Sequence, residues 1–297
     1  MSKVNINDYK VALVGNPNVG KSVIFGLLTG KYVTVSNYPG TTVEVSRGMC
    51  KGLGGGIEII DTPGANSLIP LSEDESVARD MLLEDYTKHI VQVADAKNLR
   101  RGLLVTSQLA EMGLPVVLVL NMWDELLDRG MNVDVEVLQE ILGAPVVKTI
   151  ATHKVGISAL FHAIPIAKIP NLPIDYGSLI EEGISSILKI LQGNTTVNER
   201  ALAIMLLSGD EALEEKLRHK LTDGSLAEIK RIRDGIQSHF SNPLSYVINI
   251  KRANMVDALV DKVTLTIRKE KETHPAVRGI FFYFLVPQRD NQLNFKT

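Results

Sequence analysis

A glycine-rich loop of eight residues follows the apolar run Val11–Val14 and precedes a helical pattern that ends at Thr29. The loop reads Gly15-Asn16-Pro17-Asn18-Val19-Gly20-Lys21-Ser22. Two glycines five residues apart, then lysine and serine, are typical of a phosphate-binding loop between a strand and a helix. Backbone N–H groups surround the polyphosphate, Lys21 can reach its terminal phosphates and the Ser22 hydroxyl can bind Mg²⁺. The positive end of the helix dipole favours the same anion. We therefore expect nucleotide contacts from the whole loop and from Val23 after it.

The composition is that of a globular protein, with 45% hydrophobic and 22% charged residues among 297. The net charge of −2 gives no general attraction to nucleic acid or anionic lipid. The single cysteine, Cys50, excludes internal disulfides and cysteine-cluster metal sites, and it fits a reducing compartment. The longest apolar run, 279–287, has too few residues to span a bilayer.

Short β-branched runs alternate with helical patterns over roughly the first 165 residues, which predicts a mostly parallel sheet with helices on both faces. Six strands are expected, at Lys10–Val14, Val43–Cys50, Ile57–Ile60, His89–Ala94, Val116–Asn121 and Val146–Thr149. Helices are expected at Lys21–Thr29, Asp74–Leu83, Leu99–Met112, Val133–Leu142 and Ile157–Ala167.

Three prolines, Pro165, Pro170 and Pro173, then interrupt any helix and mark a domain boundary. We expect a first domain over 1–168, a linker over 169–175, an all-α domain over 176–270 and a tail over 271–297. No further strand is expected after the boundary. Apolar residues repeat at helical spacing over 180–191, around 202–206, and in Glu211–Leu221, Ser225–His239 and Asn254–Lys269.

The segment Asn121-Met122-Trp123-Asp124 closes the fifth expected strand, at the edge of the sheet where open α/β folds bind nucleotides. Asp124 can accept hydrogen bonds from the ring N1–H and the exocyclic amine of guanine, a pair that adenine does not offer. The alternative is an ordinary strand-to-helix loop in which Asp124 caps the helix. Because the segment follows a phosphate loop at the expected distance, we favour guanine recognition by Asn121 and Asp124.

Two further segments are expected to sense the γ-phosphate. Asp61-Thr62-Pro63-Gly64 ends the third expected strand, where Asp61 can hold Mg²⁺ through a water and the Gly64 N–H can touch the γ-phosphate. The alternative for this segment is a simple turn. A second segment, 36–43, contains Thr41 and Thr42, which compete for the role of closing over Mg²⁺.

Together these motifs have the order and spacing of a Ras-like GTPase, and in detail they resemble the cytoplasmic part of bacterial ferrous iron transport protein B (FeoB). The resemblance covers about residues 8 to 280 and rests on the following segments: Gly-Asn-Pro-Asn-Val-Gly-Lys-Ser, Asn-Tyr-Pro-Gly-Thr-Thr-Val-Glu, Asp-Thr-Pro-Gly-Ala-Asn-Ser-Leu, Asn-Met-Trp-Asp, Val93–Arg101 and Arg200–Asp210. It implies a GTP-hydrolysing G domain, a helical domain that favours the GDP state and a membrane permease outside this chain. It places the protein at the cytoplasmic face of the bacterial inner membrane, with homo-oligomers possible.

The resemblance also implies roles for single residues. It implies that Thr42 is the threonine that closes over Mg²⁺. It also implies that Thr42, Lys21, Gly64 and Asn18 form the catalytic set. Similar GTPases use K⁺, held by the side chain at Asn18 and by backbone carbonyls, here those of Tyr38 and Gly40. Such a cation would supply the charge that an arginine finger supplies elsewhere.

Two departures from common GTPase patterns affect the expected activity. Residue 65 is alanine instead of the glutamine that orients water in many GTPases, so we expect slow turnover. Ile150 stands where a hydroxyl is common in the guanine loop, although the Ala151 N–H can still meet the guanine O6. Ile150 is therefore expected to loosen nucleotide binding.

Two other functions remain open from the sequence. An RNA- or ribosome-associated GTPase would carry the same motifs, but it should also carry a basic RNA-binding module, and the region beyond 175 mixes acidic with basic residues. A nucleotide sensor that does not hydrolyse GTP is suggested by Ala65. We expect no nucleic acid partner.

Overall fold

The computed structural model describes residues 10–30, 33–51, 56–83, 87–191, 198–267 and 285–286. Its main sheet has seven strands in the order β2-β3-β4-β1-β5-β6-β8. These strands are β1 Lys10–Gly15, β2 Val33–Asn37, β3 Glu44–Met49, β4 Glu58–Asp61, β5 Thr87–Asp95, β6 Val116–Asn121 and β8 Val146–Lys148. The pairs from β4 through β8 are parallel, whereas β2–β3 and β3–β4 are antiparallel.

Eleven α-helices lie in the described part of the chain. They are α1 Lys21–Thr29, α2 Glu73–Leu83, α3 Leu99–Glu111, α4 Trp123–Asp128, α5 Val135–Leu142, α6 Ile157–Ala163, α7 Ser178–Leu191, α8 Glu199–Leu207, α9 Glu211–Leu217, α10 Asp223–Gln237 and α11 Leu244–Val263. None of them combines the length and the apolar character that a membrane crossing needs.

The central strands bury both faces, as parallel strands do. Along β1, Val11 and Leu13 join a core with α1 and α6, while Ala12 and Val14 join a core on the opposite face. Helices therefore cover both faces of the sheet, as the sequence predicts. The second core continues into the helical domain without a break, through Ile180 and its neighbours.

The strand count differs from the expected six because β2 was not recognised from the sequence. Every residue of β2 is exposed at the sheet edge, so burial imposes no apolar pattern on it. The helix expected to begin at Val133 begins at Val135 instead, because Val133 belongs to β7, Met131–Val133. Asp134 caps this helix, α5, by accepting a hydrogen bond from the Val137 N–H.

The expectation of no strand after the domain boundary is wrong. Helix α11 starts ten residues earlier than the expected Asn254 and ends at Val263, before the β-branched alternation of β9, Thr264–Ile267. Strand β9 pairs antiparallel with β7 and with β10, Leu285–Val286. The helical domain thus returns to the first domain at its end. The rest of the expected tail, 271–284 and 287–297, lies outside the described residues.

Candidate nucleotide site

The glycine-rich loop joins β1 to α1 as the sequence predicts, and its two glycines are required for different reasons. A Cβ on Gly15 would lie 2.2 Å from the Val93 carbonyl oxygen of the neighbouring strand β5. Gly20 has a φ of 86°, and a Cβ there would lie 2.4 Å from Asn121 Nδ2. Asn18 also has a left-handed φ of 64° and an exposed side chain. The loop is therefore packed tightly against β5 and β6 and directs Asn18 to solvent.

Lys21, Ser22 and Asp61 come together at the end of the loop. The Lys21 ammonium donates to Asp61 Oδ1 and to the Thr62 carbonyl oxygen. The Ser22 hydroxyl donates to Asp61 Oδ2 at 3.1 Å. The structure therefore brings together, within hydrogen-bond distance, three of the residues expected to hold phosphate and metal.

The segment after Asp61 is docked on the loop. The Thr62 N–H and hydroxyl both donate to the Leu13 carbonyl oxygen, at 3.1 and 2.8 Å. The Ala65 N–H donates to the Gly15 carbonyl oxygen at 3.0 Å. A Cβ on Gly64 would lie 3.1 Å from the Pro17 Cα, so Gly64 contacts the loop directly.

The segment between β2 and β3 forms a turn that engages Thr41 and leaves Thr42 exposed. The Thr41 N–H and hydroxyl both donate to the Tyr38 carbonyl oxygen at 3.0 Å. Gly40 lies in the turn with a φ of 78°. Within the described ranges, no hydrogen bond joins Thr42 to Lys21, Ser22 or Asp61. The structure therefore does not join Thr42 to the residues expected to hold phosphate and Mg²⁺.

Asn121 links three parts of the site through a buried side-chain amide. Its Nδ2 donates to the Val19 carbonyl oxygen at 2.9 Å. Its Oδ1 accepts from the Thr149 hydroxyl at 2.9 Å and from the Ala151 N–H at 3.0 Å. Asn121 is 3% exposed, so it connects the phosphate loop to the 149–151 loop in this conformation.

Asp124 lies in the first turn of α4 and is half-buried. Met122 precedes the helix with a left-handed φ of 58°, which turns the chain out of β6. Trp123 packs in the core beneath, and the Lys148 ammonium lies 5.3 Å from its ring centre. Asp124 is thus placed beyond the carboxyl end of β6, on a helix whose first residue, Trp123, packs against the core.

The loop after β8 carries Ile150 and Ala151. Ile150 exchanges two backbone hydrogen bonds of 3.2 Å with Val155. The Ala151 N–H, expected to meet guanine, donates to Asn121 in the structure. Ile150 is half-buried and adds no polar group to the loop.

The sequence did not identify the side chains that hold the segment after Ala65. Glu75 accepts hydrogen bonds from the Asn66 N–H at 3.0 Å and from the Leu71 N–H at 2.9 Å. Gln108 accepts from the Leu68 N–H at 2.6 Å. These contacts join residues of different elements, so local spacing gives no signal of them.

Two family models match the chain. The model described as "Ferrous iron transport protein B" matches residues 9–164, and the model described as "FeoB cytosolic helical domain" matches residues 176–264.

Longer relatives have related descriptions. The chain is similar to a Porphyromonas gingivalis Fe(2+) transport protein A/Fe(2+) transporter FeoB fusion protein, with 38% identity over 71% of this chain and 26% of that protein. It is also similar to Fe(2+) transporter FeoB of Escherichia coli K12, with 30% identity over 88% of this chain and 34% of the transporter. The chain therefore spans about a quarter to a third of the length of the curated relatives it matches.

Solved structures match both domains together. An S. thermophilus NFeoB variant bound to GDP is 33% identical, with a TM-score of 0.78 over 86% of this chain and 99% of that one. The cytosolic domain of L. pneumophila FeoB is 30% identical, with a TM-score of 0.74 over 86% and 99%. Because the first family model alone matches more than half of the chain and the second matches the helical region, the chain belongs to the ferrous iron transport protein B (FeoB) family.

Proposed function

We propose that this chain binds GTP and hydrolyses it to GDP and phosphate as the regulatory part of a ferrous iron transporter. The observation that carries the proposal is the meeting of Lys21, Ser22 and Asp61 at the end of a phosphate-binding loop. With a nucleotide bound, Lys21 turns from Asp61 to the terminal phosphates, and the loop N–H groups surround them. The GDP-bound state of the S. thermophilus neighbour supports a guanine nucleotide as the ligand.

The donor set at this point fits Mg²⁺. The Ser22 hydroxyl and the Asp61 carboxylate are hard oxygen donors, 3.1 Å apart, and Asp61 is only 8% exposed. When bound, the ion neutralises charge on the phosphate oxygens. Ser22 and Asp61 would hold it, and Thr42 would join them when the turn before β3 closes over the site.

Asp124 is the residue that selects guanine in this proposal. A carboxylate on the first turn of a short helix can accept both guanine donors, and a base without them leaves the carboxylate unpaired. Asn121 and Thr149 hold the surrounding loops, and Ala151 supplies its N–H to the base once Asn121 releases it.

K⁺ is the proposed activator. The Asn18 side chain is exposed at the tip of the loop, and Ala65 supplies no polar group to the reaction. Tyr38 and Gly40 would provide carbonyl ligands only after the turn rearranges, because Thr41 donates twice to the Tyr38 carbonyl oxygen. Slow intrinsic turnover follows from Ala65, with an upper bound of about 1 s⁻¹ in K⁺.

Family membership supports a place for this chain at the cytoplasmic face of the bacterial inner membrane, beside a ferrous iron permease. The relatives named as Fe(2+) transporters are about three to four times as long as their matching parts. We propose that this permease is the partner to which the nucleotide state is passed.

The test measures phosphate release from GTP in KCl and in NaCl, with Mg²⁺, for the wild type, Asn18→Ala and the control Asn171→Ala, which changes an exposed asparagine outside the loop. We expect K⁺ to raise the wild-type and control rates at least about 10-fold and to leave Asn18→Ala unchanged. Equal wild-type rates in both salts would overturn the role of K⁺. Tight GTP binding with no phosphate release in either salt would overturn hydrolysis and favour a nucleotide sensor.

A further inference from the structure

Ala65 is fully buried and has no polar side chain, so the side chain at the expected water-orienting position cannot orient a water. The next residue, Asn66, is exposed and lies against the phosphate loop. Asn16 Nδ2 donates to both the Ala65 carbonyl oxygen and Asn66 Oδ1, each at 3.3 Å. The Asn66 side chain is therefore hydrogen-bonded directly to Asn16, the second residue of the phosphate loop.

Arg101 on α3 fixes which way this amide points. Its Nε donates to Asn66 Oδ1 at 3.1 Å, and its Nη2 donates to the same oxygen. Because arginine has donors only, the atom facing it must be the amide oxygen. The amino group of Asn66 consequently points away from Arg101, and within the described part of the chain it has no acceptor.

Two polar side chains from neighbouring helices, Glu75 on α2 and Gln108 on α3, already accept hydrogen bonds from the backbone of this segment. Both carboxylate oxygens of Glu75 accept backbone N–H groups, and Gln108 accepts from the Leu68 N–H. Asn66 differs from them because two N–H donors of its side chain remain available on an exposed, arginine-fixed amide beside the loop.

We propose that Asn66 positions the attacking water in place of the missing glutamine and that Arg101 is its positioning residue; this rests on the proposed GTP hydrolysis. In the reaction, the water oxygen forms a bond to the γ-phosphorus while the bond from that phosphorus to the β-γ bridging oxygen breaks. The electron pair leaves with GDP, and the protons of the water end on the released phosphate and the solvent. One Asn66 N–H donates to the lone pair of the water that does not attack, and the other donates to a γ-phosphate oxygen, where negative charge has to be stabilised.

The experiment measures single-turnover hydrolysis at saturating GTP with Mg²⁺ and K⁺, together with the Kd for a fluorescent GTP analogue. The variants are Asn66→Ala, Asn66→Asp, Arg101→Ala and the double variant. Asn66→Asp keeps the shape and the acceptor oxygens but removes the amide donors. The control is Arg100→Ala, which removes an arginine next in sequence that pairs with Asp257 instead.

We expect both Asn66 variants to lose rate by on the order of 10²-fold while their Kd stays within about twofold. Arg101→Ala should lose less, and the double variant should be no slower than Asn66→Ala because both changes act through one group. Wild-type rates in both Asn66 variants would overturn the inference, and so would a loss of rate matched by an equal loss of affinity. If the wild type binds GTP without hydrolysing it, the proposed function itself is overturned, and this inference with it.

Discussion

Arg79 on α2 and Asp210 at the start of α9 form an ion pair with the guanidinium fully buried, across 131 residues of sequence. Burial by itself lowers the pKa of Arg79, but the hydrogen bonds and charges of Asp210 and Asp80 together outweigh it, so the pKa is raised overall. Asp80 adds a second contact to Arg79 at 2.8 Å and also pairs with Lys216 on α9. Helix α2, which comes after the segment that follows Asp61, is thereby fixed to the helical domain. A shift of α2 must therefore move α9 or break a buried ion pair.

Asp210→Asn is expected to lower the free energy of unfolding by about 3 kcal/mol, because it leaves a buried guanidinium with only Asp80 to neutralise it. The asparagine can still cap α9 by accepting from the Leu213 N–H, as Asp210 does at 3.0 Å, so the loss reports the charge. Urea unfolding measures it. Glu228→Gln, which breaks an exposed pair with Arg231, should cause no measurable loss. An Asp210→Asn value equal to that control would mean that Asp80 alone suffices.

Glu181 gives stability that should depend on pH. The hydrogen bonds from Arg200, at 2.8 Å to each carboxylate oxygen, lower the pKa of Glu181 against the opposing effect of burial. A carboxyl with a lowered folded pKa stabilises the fold above its unfolded pKa of about 4.3, and this stability disappears as the pH falls through the folded value. We expect the wild type to exceed Glu181→Gln in unfolding free energy from about pH 7 to about pH 5, and the difference to decrease as the pH falls below the unfolded pKa. A difference that grows on acidification would contradict this assignment.

The sequence predicted the parts of the fold and of the site that local patterns determine. The phosphate loop, the strand before it and Asp61 at the end of β4 follow from residue types at fixed spacing. The contacts of Asn66 with Arg101 and of Arg79 with Asp210 join residues that only the tertiary fold brings together, so no spacing indicates them. Asn121 was expected to help select the base, and only the structure shows its amide holding Val19, Thr149 and Ala151.

The strands that were missed have a related cause. The edge strand β2 buries no side chain, so it shows no apolar pattern. Thr264–Ile267 has the alternation of a strand, but it directly follows a long helix, and the expected helix was therefore continued through it. Whether such a short segment forms a strand depends on a neighbouring strand with which it can pair, here β3 for β2 and β7 for β9. That neighbour cannot be identified from the segment itself.

Thr149→Val should weaken GDP binding about fivefold, chiefly through faster release. It removes one of two hydrogen bonds to Asn121 Oδ1, a loss of about 1 kcal/mol that loosens the 149–151 loop. Release of a fluorescent GDP analogue, followed by stopped flow, measures this. Thr152→Val changes an exposed threonine in the same loop, whose hydroxyl contacts only His153 among the described residues. Equal release from the two variants would show that the Asn121 contact does not restrain the nucleotide.

Asp124→Asn is expected to exchange guanine preference for xanthine preference. Xanthine has a carbonyl where guanine has its exocyclic amine, so the asparagine NH₂ can donate to it while the amide oxygen accepts from N1–H. We expect the GTP affinity to fall by on the order of 10²-fold or more and XTP to become the better ligand, measured by competition with a fluorescent nucleotide. Glu125→Gln, on the next residue of α4, should keep the preference for GTP. Unchanged discrimination in Asp124→Asn would remove Asp124 from base recognition.

Two glycine-to-alanine changes separated by six residues should have opposite effects. At Gly20 the left-handed φ of 86° and the 2.4 Å approach to Asn121 Nδ2 leave no room for a methyl group, and the loop must open to accept it. Gly20→Ala should therefore lower nucleotide affinity by on the order of 10²-fold and destabilise the fold by about 2 kcal/mol. Gly26 lies in the exposed interior of α1, and a Cβ there meets nothing within 4 Å. Gly26→Ala should raise the unfolding free energy by about 1 kcal/mol and leave the affinity unchanged, because alanine restricts the unfolded chain and favours helix. Denaturant unfolding and nucleotide titration of both variants test the pair, and a weakened affinity in Gly26→Ala would show that α1 must flex to bind phosphate.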